Sequence, residues 1–182
     1  MSTHPAVETE RLLLRQFIPD DYENLSALLS DPEVTRYLSP GRPATREEMD
    51  HIFPSIRRHW DRHGFGRWAV ARKDTGEFIG YGGLRLLVDT PEVVYHLARR
   101  YWGMGLATEV ATASLSYGFG ERHFDSVVAV AMPGNAASFR VMEKAGMRRE
   151  GEREYFGMSL MQYRITRSEY RPGTAFYALR RD

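Results

Sequence analysis

Two glycines one residue apart, Gly103 and Gly105, sit at a junction where the chain changes from strand-like to helix-like, and few folds accommodate such a junction. Before them, Val93-Val94-Tyr95-His96-Leu97 is β-branched and aromatic, which suits a strand. After them, Ala107, Val110, Ala111 and Leu115 recur at the spacing of a packed helix. Glycine lets the backbone turn tightly and approach a bound group, and the unpaired N–H groups of a helix start converge on an anion. The junction therefore predicts a diphosphate site.

Two phosphate folds fail on spacing. A Walker-type loop ends in Gly-Lys-Ser/Thr, whereas Gly105 is followed by Leu106 and Ala107. A dinucleotide turn wants a third glycine or alanine where Thr108 stands, and an acidic residue closing the next strand. That strand, Ser126 to Ala131, runs instead into Met132-Pro133-Gly134-Asn135.

Arg100, Gly103 and Gly105 match the Gln/Arg-x-x-Gly-x-Gly/Ala signature with which GNAT N-acetyltransferases hold acyl-CoA, and the chain resembles that family. Tyr101-Trp102-Gly103-Met104-Gly105-Leu106-Ala107-Thr108-Glu109 is similar to the form found in the RimJ/RimL-like branch. So are Asn135-Ala136-Ala137-Ser138 with the later Glu143-Lys144-Ala145-Gly146, and the opening Glu8-Thr9-Glu10-Arg11-Leu12-Leu13-Leu14-Arg15. The resemblance spans nearly the whole chain and implies an α/β (α+β) GNAT fold: a mixed, mostly antiparallel sheet of about seven strands with flanking helices. It also implies that the fourth and fifth strands, Glu92–Ala98 and Ser126–Met132, splay to admit acetyl-CoA.

The elements read from the residues agree. Strands are expected at Leu12–Gln16, Arg67–Arg72, Phe78–Leu87, Glu92–Ala98, Ser126–Met132, Arg148–Phe156 and Leu160–Thr166. Helices are expected from Asp20-Asp21 to about Ser30, from the Thr45-x-x-Glu48 capping box toward Arg62, and at about 107–118 and 136–145. Pro32 to Tyr37 allows a short turn, and Ser39-Pro40-Gly41-Arg42-Pro43 breaks the chain. With 182 residues and 42% hydrophobic content, one domain over residues 1–182 is expected. No stretch approaches the roughly 20 apolar residues of a membrane span, so no membrane partner and a cytoplasmic location are expected. Zero cysteines exclude disulfides, thiolate metal sites and an acyl-cysteine intermediate. No metal is expected, and a net charge of +1 argues against nucleic acid as a partner. Oligomeric state is not legible, and a homodimer stays open.

For an acetyl-CoA enzyme the resemblance implies a set of roles. Strand amides near Leu97 would face the pantetheine and the thioester carbonyl, and amides from Trp102 through Gly103, Met104, Gly105 and Leu106 to Ala107 would hold the diphosphate, with Arg100 at the loop. Asn135 would contact the pantetheine arm, although an asparagine after Pro-Gly is also a good helix N-cap. The tyrosine that many relatives place seven residues after that asparagine is Met142 here, so Ser138 is the candidate proton donor to the CoA thiolate. Glu92 is the best candidate base for the amine, provided burial raises its pKa, and its plain alternative is a solvent-facing strand-end charge. His96 follows on the same strand face and is the second candidate, though a lone strand histidine is more often packed.

The acceptor side is the least readable. Tyr37-Leu38, the helix carrying Trp60, Phe65 and the Tyr155–Met158 turn supply aromatic surface, and most such aromatics belong to cores. No acidic run near them would attract a polyamine. The expected activity is acetyl transfer by direct attack to a primary amine, with a peptide N-terminal α-amine favoured. Alternatives are a small amine such as a polyamine or aminoglycoside, a catalytically silent acyl-CoA-binding module and, more distantly, a nucleotide-dependent oxidoreductase.

Overall fold

The computed structural model describes residues 4–38 and 40–180; Ser39, the first residue of the predicted chain break, lies outside the described residues. Among the described residues, nine strands form one sheet: β1 (Ala6–Thr9), β2 (Leu12–Arg15), β3 (Arg67–Arg72), β4 (Phe78–Leu87), β5 (Thr90–Leu97), β6 (Ser126–Ala131), β7 (Arg148–Tyr155), β8 (Met158–Thr166) and β9 (Tyr177–Arg180). Their order is β7-β8-β6-β5-β4-β3-β2-β1-β9, and every neighbouring pair is antiparallel except β5 with β6. The expected seven strands are all present. The two further ones, β1 and β9, pair with each other at the sheet edge.

The expected strand at Leu12–Gln16 is the second arm of a hairpin whose first arm, β1, was not expected. Val7 pairs with Leu14 and Glu8 with Leu13, so Glu10 and Arg11 form the turn. The reason is local: the Thr9 hydroxyl accepts from the Leu12 N–H at 3.1 Å, closing the turn before the strand can run on.

Among the described residues the sheet is accompanied by five α-helices: α1 (Asp21–Ser30), α2 (Pro32–Thr35), α3 (Arg46–His63), α4 (Leu106–Gly120) and α5 (Ala136–Lys144). The Thr45 capping box forms as expected, with Glu48 reaching back to the Thr45 N–H at 2.7 Å. Helix α4 packs on one sheet face, where Gly82 leaves room for Val110; a Cβ at 82 would lie only 2.4 Å from that side chain. The buried cluster around Trp60, Trp68 and Tyr117 anchors α3 and α4 to the end of β3, with adjacent ring centroids 5.1–5.2 Å apart. These contacts fix the helices so that a cleft opens between the middle strands.

Candidate active site

The phosphate end of the cleft is made of backbone. Gly103 and Gly105 adopt left-handed φ values of +76° and +77°, and Gly105 is the N-cap of the fifteen-residue α4. Among the described residues, the N–H groups of 103–108 donate to no backbone carbonyl, because the first helical bond runs from the Glu109 N–H to the Gly105 carbonyl. A row of free donors at a helix start suits a diphosphate. The loop is pinned from behind. Arg11 donates to the Met104 carbonyl at 2.9 Å and to Glu109 at 2.7 Å, and the Thr9 hydroxyl donates to Glu109 at 2.6 Å. The opening segment and the Ala-Thr-Glu of the loop, separate features of the sequence, are thus one hydrogen-bonded unit.

Beyond the loop, β5 and β6 share a single rung, Glu92 opposite Val128, and diverge toward Leu97 and Ala131. Leu97 is buried, and its carbonyl accepts from the Trp102 indole at 2.7 Å. Asn135 caps α5, its side-chain oxygen accepting from the Ser138 N–H at 3.2 Å. Ser138 faces Tyr95 across the splay, hydroxyl to hydroxyl at 2.9 Å. Burial pushes the Tyr95 phenol well above its usual range, so it stays protonated. Arg100 turns away: it pairs with Glu77, lies over the Tyr101 ring and lines a separate hollow beside α1.

The opposite end of the cleft, which encloses about 940 Å³, is walled by side chains. The register of β3, β4 and β5 places Arg67, Tyr81, Arg85, Glu92 and His96 on one face, away from α4. Glu92 is fully buried and accepts from Arg85 at 2.5 Å; burial raises its pKa, opposed by the Arg85 charge. His96 packs against Tyr81 with tilted rings, centroids 4.8 Å apart, and its Nδ1 has no hydrogen-bond partner among the described residues. Burial first, then Arg85 and Arg67, lowers its pKa to about 3, so the ring is neutral. Tyr37, Leu38, Phe156 and Met158 border the mouth, while Trp60 and Phe65 belong to the core.

Comparison with known proteins decides what this cleft belongs to. The family described as the acetyltransferase (GNAT) domain matches residues 11–148. The chain is a member of the GNAT acetyltransferase family. It is 38% identical over 157 residues to a Bacillus subtilis protein named uncharacterized protein YkkB, covering 81% of this chain and 87% of that one. It is 33% identical over 150 residues to the uncharacterized N-acetyltransferase YoaA of the same organism, covering 81% and 85%. A crystal structure of a GNAT-family acetyltransferase from Bacillus anthracis superposes with a TM-score of 0.77 at 28% identity, over 90% of this chain and 99% of that one.

As a GNAT enzyme the protein is an N-acetyltransferase, and the cleft brings together most of the residues singled out from the sequence. Glu92, His96, Leu97, Trp102, Gly103, Gly105, Leu106, Ala107, Asn135 and Ser138 all line it; Arg100 and the exposed Met104 do not. Sequence reasoning missed Tyr95, Arg67, Tyr81 and Arg85. Strand alternation sets Tyr95 on the face opposite Glu92, but nothing in the sequence says that this face meets the start of α5. The two arginines carried a weaker signal still, since their strands gain meaning only once their register with β5 is known.

Proposed function

We propose that this enzyme moves the acetyl group of acetyl-CoA directly onto the α-amine of a protein or peptide, in the manner of the RimJ/RimL-like branch. The supporting observation is the single rung between β5 and β6, with free loop amides at one end and a buried carboxylate at the other. Acetyl-CoA supplies an acetyl group activated as a thioester; the chain positions it and moves protons. The amides of 103–108 hold the diphosphate, and the free strand edge near Leu97 takes the pantetheine arm and faces the carbonyl oxygen.

As the N–C bond forms and the C–S bond breaks, the amine proton passes to Glu92. The Ser138 hydroxyl, held by Tyr95, hydrogen-bonds the departing thiolate and relays to it a proton that it takes back from solvent in the same step. A carboxyl whose pKa burial raises is a better acceptor than His96, whose pKa of about 3 makes it a weak base. Arg67 in the acceptor wall opposes a polycation, and an α-amine of pKa about 8 is far more often neutral at pH 7 than an alkyl amine near 10.

The test is release of free CoA thiol. A peptide with a free N-terminus should be used with greater kcat/KM than spermidine, and blocking that N-terminus while leaving a lysine should abolish the product. Robust acetylation of the blocked peptide, or preference for spermidine, transfers the reading to lysine or polyamine chemistry. Binding of acetyl-CoA with no amine-dependent thiol release would favour a silent binding module.

A further inference from the structure

Arg67 is the unexplained charge of the acceptor wall. It sits deep at the start of β3, with only part of its surface open to the cleft. Among the described residues its guanidinium forms neither a salt bridge nor a hydrogen bond. A buried cation normally has a partner, because desolvation without compensation is costly.

The groups around it define what that partner must be. Arg85 is already paired with Glu92 at 2.5 Å, so that pair carries no net charge. Tyr81 is neutral, burial having raised its pKa. His96, with a pKa of about 3, and His59 of α3, lowered to about 4 by burial and then by His63, are neutral at pH 7. The rim pair Arg42 and Glu48, bonded at 2.7 Å, also cancels. Glu33 of α2 and Arg140 and Lys144 of α5 line other sides of the cleft, and what remains on the sheet wall of β3, β4 and β5 is one positive charge on a planar, bidentate donor, complementary to one carboxylate.

Arg67 stands opposite Gly83, which stands opposite Val94, so β3 lies two strand spacings from β5, about 10 Å. The arginine side chain spans part of that gap. An amine beside Glu92 and a carboxylate on Arg67 would then be separated by no more than a residue or so of substrate.

Resting on the α-amine reading above, we infer that the acceptor of this enzyme is an amine that also carries a carboxylate, which seats on the Arg67 guanidinium. That carboxylate comes either from the side chain of an acidic residue at the start of a peptide or from the α-carboxylate of a free amino acid.

Two matched pairs test this by calorimetry on the protein loaded with CoA, where no turnover occurs. One pair is the C-terminally amidated peptides Ser-Asp-Ala-Ala and Ser-Asn-Ala-Ala; the other is alanine and alaninamide. In at least one pair the carboxylate member should bind about tenfold tighter or more. That ratio should fall to near one in Arg67→Gln and recover in part in Arg67→Lys, with CoA affinity of each variant as the folding control. A peptide-only preference identifies an acidic N-terminal segment, and an alanine-only preference a free amino acid. No preference in either pair, or a preference that survives Arg67→Gln, overturns the inference. Because binding is the readout, this result is independent of the α-amine reading, which fails separately if bound carboxylate amines release no thiol from acetyl-CoA.

Discussion

The diphosphate end of the cleft is walled by backbone N–H groups from one contiguous segment, residues 103–108, while the acceptor end is walled by side chains gathered from β3, β4 and β5. Backbone donors at a helix start depend on two glycine conformations and on little else, so a short stretch of sequence specifies them. Side chains converging from three strands depend on the mutual register of β3, β4 and β5, which no short stretch specifies. On the proposed reading the first end holds the diphosphate of acetyl-CoA. The second is free to vary, because a change at Arg67 or Tyr81 leaves the phosphate loop untouched.

The sharpest way to break this division is at Gly105. A Cβ there would meet only Arg11 Nη2, at 3.6 Å, so space is not the obstacle; the φ of +77° is. Valine is poorly suited to that region and would tilt the free amides away from their guest. Acetyl-CoA affinity in Gly105→Val should fall about 100-fold or more, a loss of several kcal/mol, while circular dichroism remains native. Unchanged affinity in a folded variant would make the loop a turn and no more.

At the other end, Glu92→Gln keeps a hydrogen-bond acceptor for Arg85 but removes the carboxylate. Turnover should drop about 100-fold near pH 7. The deficit should shrink toward pH 9, where more of the amine is already neutral. Full activity of the Gln variant from pH 6 to 9 would move the base elsewhere.

The legibility of the molecule follows the same division. The seven central strands and the four longer helices were readable because periodicity, the Thr45 capping box and the glycine junction are local signals. The hairpin at Glu10-Arg11 was not, because its cause is a hydroxyl bond and a long-range anchor on Glu109. Nor was β9, whose Tyr177–Arg180 is four residues long and gains its strand character only from β1. Within the site, Glu92, Asn135 and Ser138 were found through family spacing. The contact of Tyr95 with Ser138 joins residues 43 apart, and a sequence pattern on one strand carries no record of it.

The acceptor wall should also be the acid-sensitive half. His96 has a folded pKa of about 3 against an ordinary 6.5, lowered by burial, so the unfolded chain binds a proton that the folded one refuses. The stabilisation from the neutral ring is therefore complete above about pH 6.5 and is lost as pH falls toward 3, at about 1.4 kcal/mol per pH unit. His59, at about 4, adds to the same trend until that pH is reached. Urea denaturation between pH 7 and 5 should show this slope, and His96→Gln should reduce it to the part that His59 contributes. An unchanged slope in the variant would place the acid sensitivity in other groups.

The smallest effects are expected where the two halves meet, at the hydroxyl pair of Tyr95 and Ser138. Ser138→Ala should cost about tenfold in kcat, a modest amount because a thiol of pKa about 8.5 leaves readily and solvent can partly replace the donor. Tyr95→Phe should cost only about threefold, since the tyrosine acts through the serine by fixing its hydroxyl 2.9 Å away rather than by meeting the sulfur. The double variant decides between that arrangement and an independent role. If Tyr95 works through Ser138, removing it in the Ser138→Ala background changes nothing further, and the double variant stays about tenfold down. If the losses multiply to about thirtyfold, Tyr95 has its own path to the leaving group. A purely structural tyrosine would instead lower acetyl-CoA affinity or thermal stability along with kcat, so all three quantities belong in the cycle.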